Sequence, residues 1–316
     1  MKLSVAICTW NRAAMLRETL RSLSAARPPD EPWEVVVVDN NSTDATPAVV
    51  AEFEDCLPLR RVSETRQGHS HSRNRAVAEA TGRFLVWTDD DVQVDSRWLV
   101  AYAEALDRHP GAGFLGGPIE PDYLARRPRW LQENAETCDG VYARRQLGDR
   151  PIRLDAERLP FGANFATRRE LHEVYSFRGK FGRVGDEVRG YDEIDVLSRM
   201  AGDGHEGYWV PGAAVRHRIP ASRMTLQYVY DYFHGQGQTW IARRRVEPDV
   251  AALRQQIRYH RRRYRIGRIC LSSGNWFGHW VQWANLSGQL DQLERETGPG
   301  PPGRTLSGDD PDTPGL

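Results

Sequence analysis

Val35-Val36-Val37-Val38-Asp39-Asn40-Asn41-Ser42 sets four consecutive β-branched residues directly against a cluster of turn and cap formers. An apolar run with no polar residue alternating into it belongs to a strand covered on both faces. Upstream, Leu3 to Thr9 is a second apolar run, Asn11 reads as an N-cap, and Met15, Leu16, Leu20 and Leu23 make a helical stripe. Downstream, the pattern predicts a helix over Ala45 to Glu54 with Pro47 in its first turn, and a strand near Leu59 to Val62. A helix from Ser72 to Ala80, closed by Gly82, leads into a fourth strand, Phe84 to Thr88, which runs into Asp89-Asp90-Asp91. This rhythm predicts an α/β fold with a mostly parallel, helix-flanked central sheet, in which ligands sit beyond the carboxyl ends of the strands. Thr9, Asp39 and Asp89 to Asp91 all fall at that edge.

After Asp95 the pattern loosens. Helices are expected over Arg97 to Leu106 and Asp192 to Gly202, and a second sheet region near Phe161 to Ala166. Met224 to Arg245 reads as a helix interrupted by Gly235 and Gly237, and the Pro-, Gly- and Asp-rich tail from Pro299 reads as disordered.

The 316 residues carry 43 Lys+Arg against 43 Asp+Glu, 40% hydrophobic and 27% charged side chains, which is globular composition. Zero net charge argues against a protein that coats nucleic acid. Cys8, Cys56, Cys138 and Cys270 lack CxxC spacing, so neither a zinc cluster nor a disulfide framework is indicated and a cytoplasmic chain is expected. The opening MKLSVAICTWNR is too quickly polar for a secretory signal. Ile269 to Leu290 lacks Asp, Glu, Lys and Arg but holds too many Ser, Asn, Gln and His residues to span a bilayer.

Three adjacent carboxylates repel one another unless a positive group sits among them. On an extended segment Asp89 and Asp91 face one way and Asp90 the other, an oxygen pair suited to Mg²⁺ or Mn²⁺. A solvated acidic turn is the plainer alternative. Asp39 ends a buried strand, where a carboxylate needs donors: a nucleobase N–H or the backbone of the next helix both serve. Arg73 and Arg75 near a helix start can clamp a diphosphate or be merely solvated.

The segments VAICTWNR, VVVVDNNSTD, GHSHSRNRAVAEATGRFLVWTDDDV and GYDEIDVLSRMAGDGHEGYWVPGAAVRH, in this order, resemble the family 2 glycosyltransferases of the GT-A fold over about residues 1 to 240. The resemblance implies a Rossmann-like sheet and inverting transfer of one sugar from a nucleotide-diphosphate donor, with Mn²⁺ or Mg²⁺ as cofactor. It assigns Thr9, Asn11, Arg12, Asp39, Arg73, Asp89, Asp90 and Asn164 to the nucleotide sugar, with Thr9 lining the nucleotide pocket and Asp39 reading the base. Asp89 and Asp91 become the DxD pair, with His217 completing a metal set of Asp91, Asp89 and His217. Glu193 matches the catalytic base beside Asp192, although the usual order of that acidic pair is reversed and Asp192, Glu193 and Asp195 all stay open for the role. As sequence neighbours on a helix, Asp192 and Glu193 are expected to diverge. Gln236-Gly237-Gln238-Thr239-Trp240 departs from the QxxRW of processive members, which implies single addition.

The implied organisation is a catalytic domain over 1–220, split near 95 into nucleotide-sugar and acceptor halves. A helical C-terminal extension over 221–298 and a tail over 299–316 follow. The acceptor is expected to be a glycan, a lipid-linked sugar or a small molecule, with no nucleic acid. The arginines from Arg254 to Arg268, followed by Trp276, Phe277, Trp280 and Trp283, read as a helical pair packed on the catalytic domain or as a peripheral membrane contact. The rivals, a nucleotidyltransferase and a catalytically silent sugar-nucleotide binder, fit less well. CTWNRAAM lacks the glycines of a phosphate loop, and the candidate acids Asp91 and Glu193 are intact.

Overall fold

The computed structural model describes residues 3–183, 190–244, 248–269 and 276–297. The tail from Pro299, expected to be disordered, lies outside them. In chain order the elements are β1 (Leu3–Thr9), α1 (Ala13–Ala25), β2 (Trp33–Asp39), α2 (Thr46–Ala51), β3 (Leu59–Ser63), α3 (His69–Glu79) and β4 (Phe84–Asp89). There follow β5 (Val92–Val94), α4 (Trp98–Arg108), β6 (Phe114–Gly116), β7 (Ile119–Tyr123), α5 (Arg129–Glu133), β8 (Arg153–Leu154) and β9 (Asn164–Arg168). The chain continues with α6 (Asp192–Gly202), β10 (Gly207–Trp209), β11 (Val215–Ile219), α7 (Leu226–Arg243), α8 (Val250–Ile269) and α9 (Trp276–Thr297).

The main sheet has the order β3-β2-β1-β4-β9-β6-β10-β8, and β5-β11-β7 form a second, small one. β1 to β4 are mutually parallel, and the registers Thr9↔Asp39, Asp39↔Ser63 and Cys8↔Asp89 bring the polar strand ends to a single edge. The valine run behaves as its composition requires. Val35 and Val37 pack with Leu16, Leu20, Trp98 and Tyr102 on one face, while Val36 and Val38 pack with Ala76, Trp87, Val196 and Met200 on the other.

Four expectations are corrected. The strand near Phe161 to Ala166 starts no second sheet: β9 inserts antiparallel between β4 and β6. Asn11 caps no helix; it takes a positive φ and its Oδ1 accepts from Thr43 N, while Asp44 receives the N–H of Ala13. α3 begins three residues before Ser72 and ends with Ala80 in extended backbone, so Gly82 does not close it. α7 runs unbroken through Gly235 and Gly237. A Cβ at Gly237 would stand 1.9 Å from the Asn285 carbonyl oxygen, and one at Gly288 equally close to that of His234, so these glycines let α7 and α9 touch backbone to backbone.

The C-terminal helices are seated on the rest of the chain through a third core. Leu131, Cys138, Tyr142 and Ile219 meet Val229 of α7 and Phe277, Trp280 and Val281 of α9.

Candidate functional site

At the edge where β1, β2 and β4 end, the chain turns through Asp90 and Asp91 before β5 begins. The turn breaks the strand alternation, so Asp90 does not face away from Asp91: both are buried and share one guanidinium. Arg12 Nη1 lies 2.6 Å from Asp90 Oδ1 and its Nη2 2.7 Å from Asp91 Oδ2. The Thr9 hydroxyl donates to Asp90 Oδ2 at 2.8 Å. Asp91 Oδ2 also receives Arg223 Nη1 at 2.9 Å and faces His217 Nε2 at 3.4 Å. His217 arrives there because β11 pairs His217 with Val92 and Arg218 N donates to the Asp91 carbonyl. Burial would raise the Asp91 carboxyl, but Arg12, His217 and Arg223 outweigh it and hold the group well below the usual carboxylate range. Asp90, buried beside the Asp91 charge, is pushed up to about 6.

The donor set of this corner suits a divalent cation. His217 Nδ1 donates to the Tyr142 carbonyl at 2.8 Å, while its Nε2 lies 3.2 Å from Arg223 Nη1 and 3.4 Å from Asp91 Oδ2, so a cation would bind there with the imidazole neutral and Arg223 displaced. Asp91 Oδ1 is buried and makes no hydrogen bond among the described residues. Asp89, expected as the partner of Asp91, does not join them. Among the described residues no three His, Cys, Asp or Glu side chains are placed to share one ion. Asp91 and His217 therefore fit as a two-residue seat, the arrangement that leaves most positions of a hard cation to phosphate oxygens and water.

A second acidic pair opens α6. Asp192 Oδ2 lies 3.1 Å from Arg73 Nη1 and 3.1 Å from His69 Nδ1, while Glu193 Oε2 lies 3.5 Å from the same Nη1. The expected divergence of these neighbours is thus corrected: the longer Glu side chain reaches back to the guanidinium that the shorter Asp already meets. Arg73 is only 2% exposed, with Trp87, Phe165 and Phe177 ringing it at 5.9, 5.4 and 5.3 Å. Arg75, by contrast, pairs on the surface with Glu79. Gly162 N donates to Glu193 Oε1 at 3.1 Å, and a Cβ at Gly162 would stand 2.8 Å from Arg73 Nη2, so a side chain there would have to shift the guanidinium. Tyr191, at φ 91°, carries a bulky side chain in left-handed backbone immediately before the pair.

The pair is electrostatically split. Burial and the adjacent Asp192 charge push Glu193 up to about 7. Burial acts on Asp192 too, but Arg73 and His69 overcome it and keep that carboxyl far below its ordinary value. Asp195, the third candidate, faces elsewhere, toward Arg199 at 3.1 Å and Arg178 at 3.6 Å. Asp89 lies between the two clusters, its charge acting on both Arg12 and Arg73.

Asp39 is buried, with Oδ1 accepting from Ser42 N and Oδ2 from Arg61 at 3.0 Å. Asn164 is a correction. Its Oδ1 accepts from Trp98 Nε1 and Tyr102 OH, and its Nδ2 donates to the Pro118 and Ala213 carbonyls. That is the full capacity of an amide, so nothing remains for a sugar hydroxyl. Arg223 and His69 were missed because no motif marks them. Arg183, which donates to Tyr228 OH at 3.2 Å, was missed for the same reason. For His69 the one available signal was its place four residues, one helical turn, before Arg73.

Residues 4–176 match the family model described as Glycosyl transferase family 2. The glucosyl-dolichyl phosphate glucuronosyltransferase of Haloferax volcanii is 27% identical over 204 residues, covering 63% of this chain and 63% of that protein. The chain thus spans less than two thirds of that relative's length. The succinoglycan biosynthesis protein ExoM of Rhizobium meliloti is 27% identical over 245 residues, 76% of this chain and 74% of its own. Among solved structures, the mannosyltransferase PcManGT of Pyrobaculum calidifontis, in complex with GDP-Man and Mn²⁺, superposes with a TM-score of 0.60 at 21% identity, covering 92% and 86% of the two chains. The last likeness is one of fold.

Proposed function

The chain belongs to glycosyl transferase family 2, and from that premise we propose that it transfers one sugar, with inversion, from a nucleotide-diphosphate donor to a glycan hydroxyl. The observation that carries the reading is the split pair at the start of α6, in which Glu193 holds a proton affinity near neutrality beside an ionised Asp192. One poised base is what a single displacement requires. Glu193 is the group that accepts the proton of the attacking hydroxyl, and the Gly162 N–H and Arg73 hold its carboxylate in place.

Thr9 and Asp39 line the nucleotide side, and Arg12 and Arg223 bring two positive charges to the edge where a diphosphate would separate from the sugar. A divalent cation, Mn²⁺ or Mg²⁺, would be held by Asp91 and His217 and would neutralise charge on the departing diphosphate. The Mn²⁺ in the PcManGT complex supports this choice. Thr239 in place of the QxxRW arginine supports single addition, and the adjacent Trp240 is 51% exposed on α7. The names of the two relatives support a glycan acceptor, lipid-linked or polymeric. No helix of the described residues is long and apolar enough to cross a membrane, and a cytoplasmic location is the one we propose.

Thermal shift of the chain with nucleoside diphosphates, with and without Mn²⁺, tests the donor side, because a ligand of the native state raises its stability. The expected result is stabilisation by one nucleotide that increases with Mn²⁺. No response to any nucleotide would defeat the proposal.

A further inference from the structure

α8 carries seven arginines and neither Asp nor Glu. Its inward seam is Leu253, Ile257, His260, Tyr264 and Gly267, a four-three alternation that lies against α9. Leu253 packs with Leu286 and Leu293, Tyr264 stacks on Trp283, and His260 Nδ1 lies 3.0 Å from His279 Nδ1. The opposite side exposes Arg258, Arg262 and Arg265, together with Tyr259 at 55% and Ile266 at 44%. Tyr259 and Ile266 are seven residues apart and so stand in line along the helix. Arg258, Arg261, Arg262, Arg265 and Ile266 line a shallow groove of about 320 Å³.

This charge is not neutralised by its neighbours. Arg254 pairs with Glu294, and Arg261 and Arg268 lie over Trp283 and Trp276. Arg258, Arg262, Arg263 and Arg265 have no ion pair among the described residues. Over residues 276–290 α9 has no acidic side chain; Asp291, Glu294 and Glu296 all sit at its far end. Of the α9 aromatics read as packed on the catalytic domain or as a membrane contact, Phe277 and Trp280 are buried in the core that seats the helix, and Trp276 and Trp283 lie half-buried against Tyr264. Between α8 and α9, the exposed large apolar residues among those described are Val250, Tyr259 and Ile266, all on α8.

We propose that α8 lies along an anionic lipid surface, its outer arginines paired with headgroup phosphates and Tyr259 and Ile266 entering the interface. Guanidinium forks match phosphate oxygens, and a helix with arginines flanking a short apolar ridge adsorbs in the plane of a bilayer. A nucleic-acid backbone would satisfy the arginines but offers nothing to Ile266, and the chain as a whole is neutral.

The full chain should co-sediment with phosphatidylcholine vesicles containing phosphatidylglycerol and not with phosphatidylcholine alone, and salt should weaken the binding. Combined Arg258→Gln, Arg262→Gln and Arg265→Gln should reduce partitioning on the order of 100-fold, since each basic residue near an anionic surface contributes about fivefold. The same three positions changed to Lys should retain binding, and Tyr259→Ser with Ile266→Ser should weaken it. Nucleotide binding, which does not depend on α8, should be unchanged in every variant, so failure here leaves the transferase reading untouched. Equal binding to neutral vesicles, no loss in the Gln variant, or preference for duplex DNA over anionic vesicles would each overturn the assignment.

Discussion

Asp90–Asp91 and Asp192–Glu193 are both pairs of adjacent buried carboxylates set over arginine, yet they are supplied with unequal positive charge. Asp91 Oδ2 alone meets Arg12, Arg223 and His217, while Asp192 and Glu193 divide a single guanidinium, with His69 reaching only Asp192. In the first pair Arg12 and Arg223 converge on Asp91 and fix it as an anion, leaving Asp90, which meets Arg12 alone, raised to about 6. In the second, Glu193 is left undercompensated and its proton affinity rises to near neutrality. The count of cations per carboxylate, more than burial, separates an anchoring acid from a titrating one.

The largest effect should follow removal of the undercompensated acid. Glu193→Gln keeps the shape and the Gly162 N–H bond but cannot accept a proton, so turnover should fall on the order of 10²–10⁴-fold with nucleotide affinity unchanged. Steady-state kinetics beside calorimetric titration separate the two, and a variant that keeps its turnover would move the base elsewhere.

Next comes the guanidinium that both acids share. Arg73→Met fills similar space but leaves Asp192 with His69 as its only cationic partner, which should cost about 3–5 kcal/mol of stability. Urea unfolding measures it. A loss under 1 kcal/mol would mean that the aromatic cage of Trp87, Phe165 and Phe177, rather than the ion pairs, holds this corner.

In the cation-rich pair, Asp91→Asn removes the charge that Arg12, Arg223 and His217 converge on and halves the two-residue seat. Mn²⁺-dependent turnover should fall by about 10²–10³-fold. A variant as active as the parent, in a parent also indifferent to chelator, would remove the cation from the mechanism.

The strand-end edge was legible from residue order; the contrast between the two pairs was not, and the reason is physical. Val35–Val38 announces a strand with two covered faces because no polar residue interrupts it, and the strand ends Thr9, Asp39 and Asp89 follow from parallel packing. What a residue meets from afar was not legible. Asn164 reads as a turn former, but Trp98, Tyr102, Pro118 and Ala213 consume its amide from four separate stretches of chain. Gly237 reads as a helix breaker until Asn285 is known to lie against it. Arg223 has no motif, and it reaches Asp91 only because β11 is registered beside β5.

The smallest effect is the most discriminating, because its sign is set by the comparison. Glu193 is pushed up to about 7, so the rate of the parent enzyme should rise as this group ionises around that pH, the carboxylate being the competent form. Part of that elevation comes from the neighbouring Asp192 charge, which disfavours a second anion. Asp192→Asn removes the repulsion and leaves Arg73, previously divided, to Glu193 alone. Both changes favour the ionised form, so the ascending limb should move toward acid by about 1–2 pH units, whatever happens to the plateau. A limb that stays in place would mean that the two carboxylates do not sense each other. One that moves toward alkali would mean that Asp192 orders Arg73 for Glu193 rather than competing for it, and the pair would then resemble Asp90–Asp91 more closely than their charge counts allow.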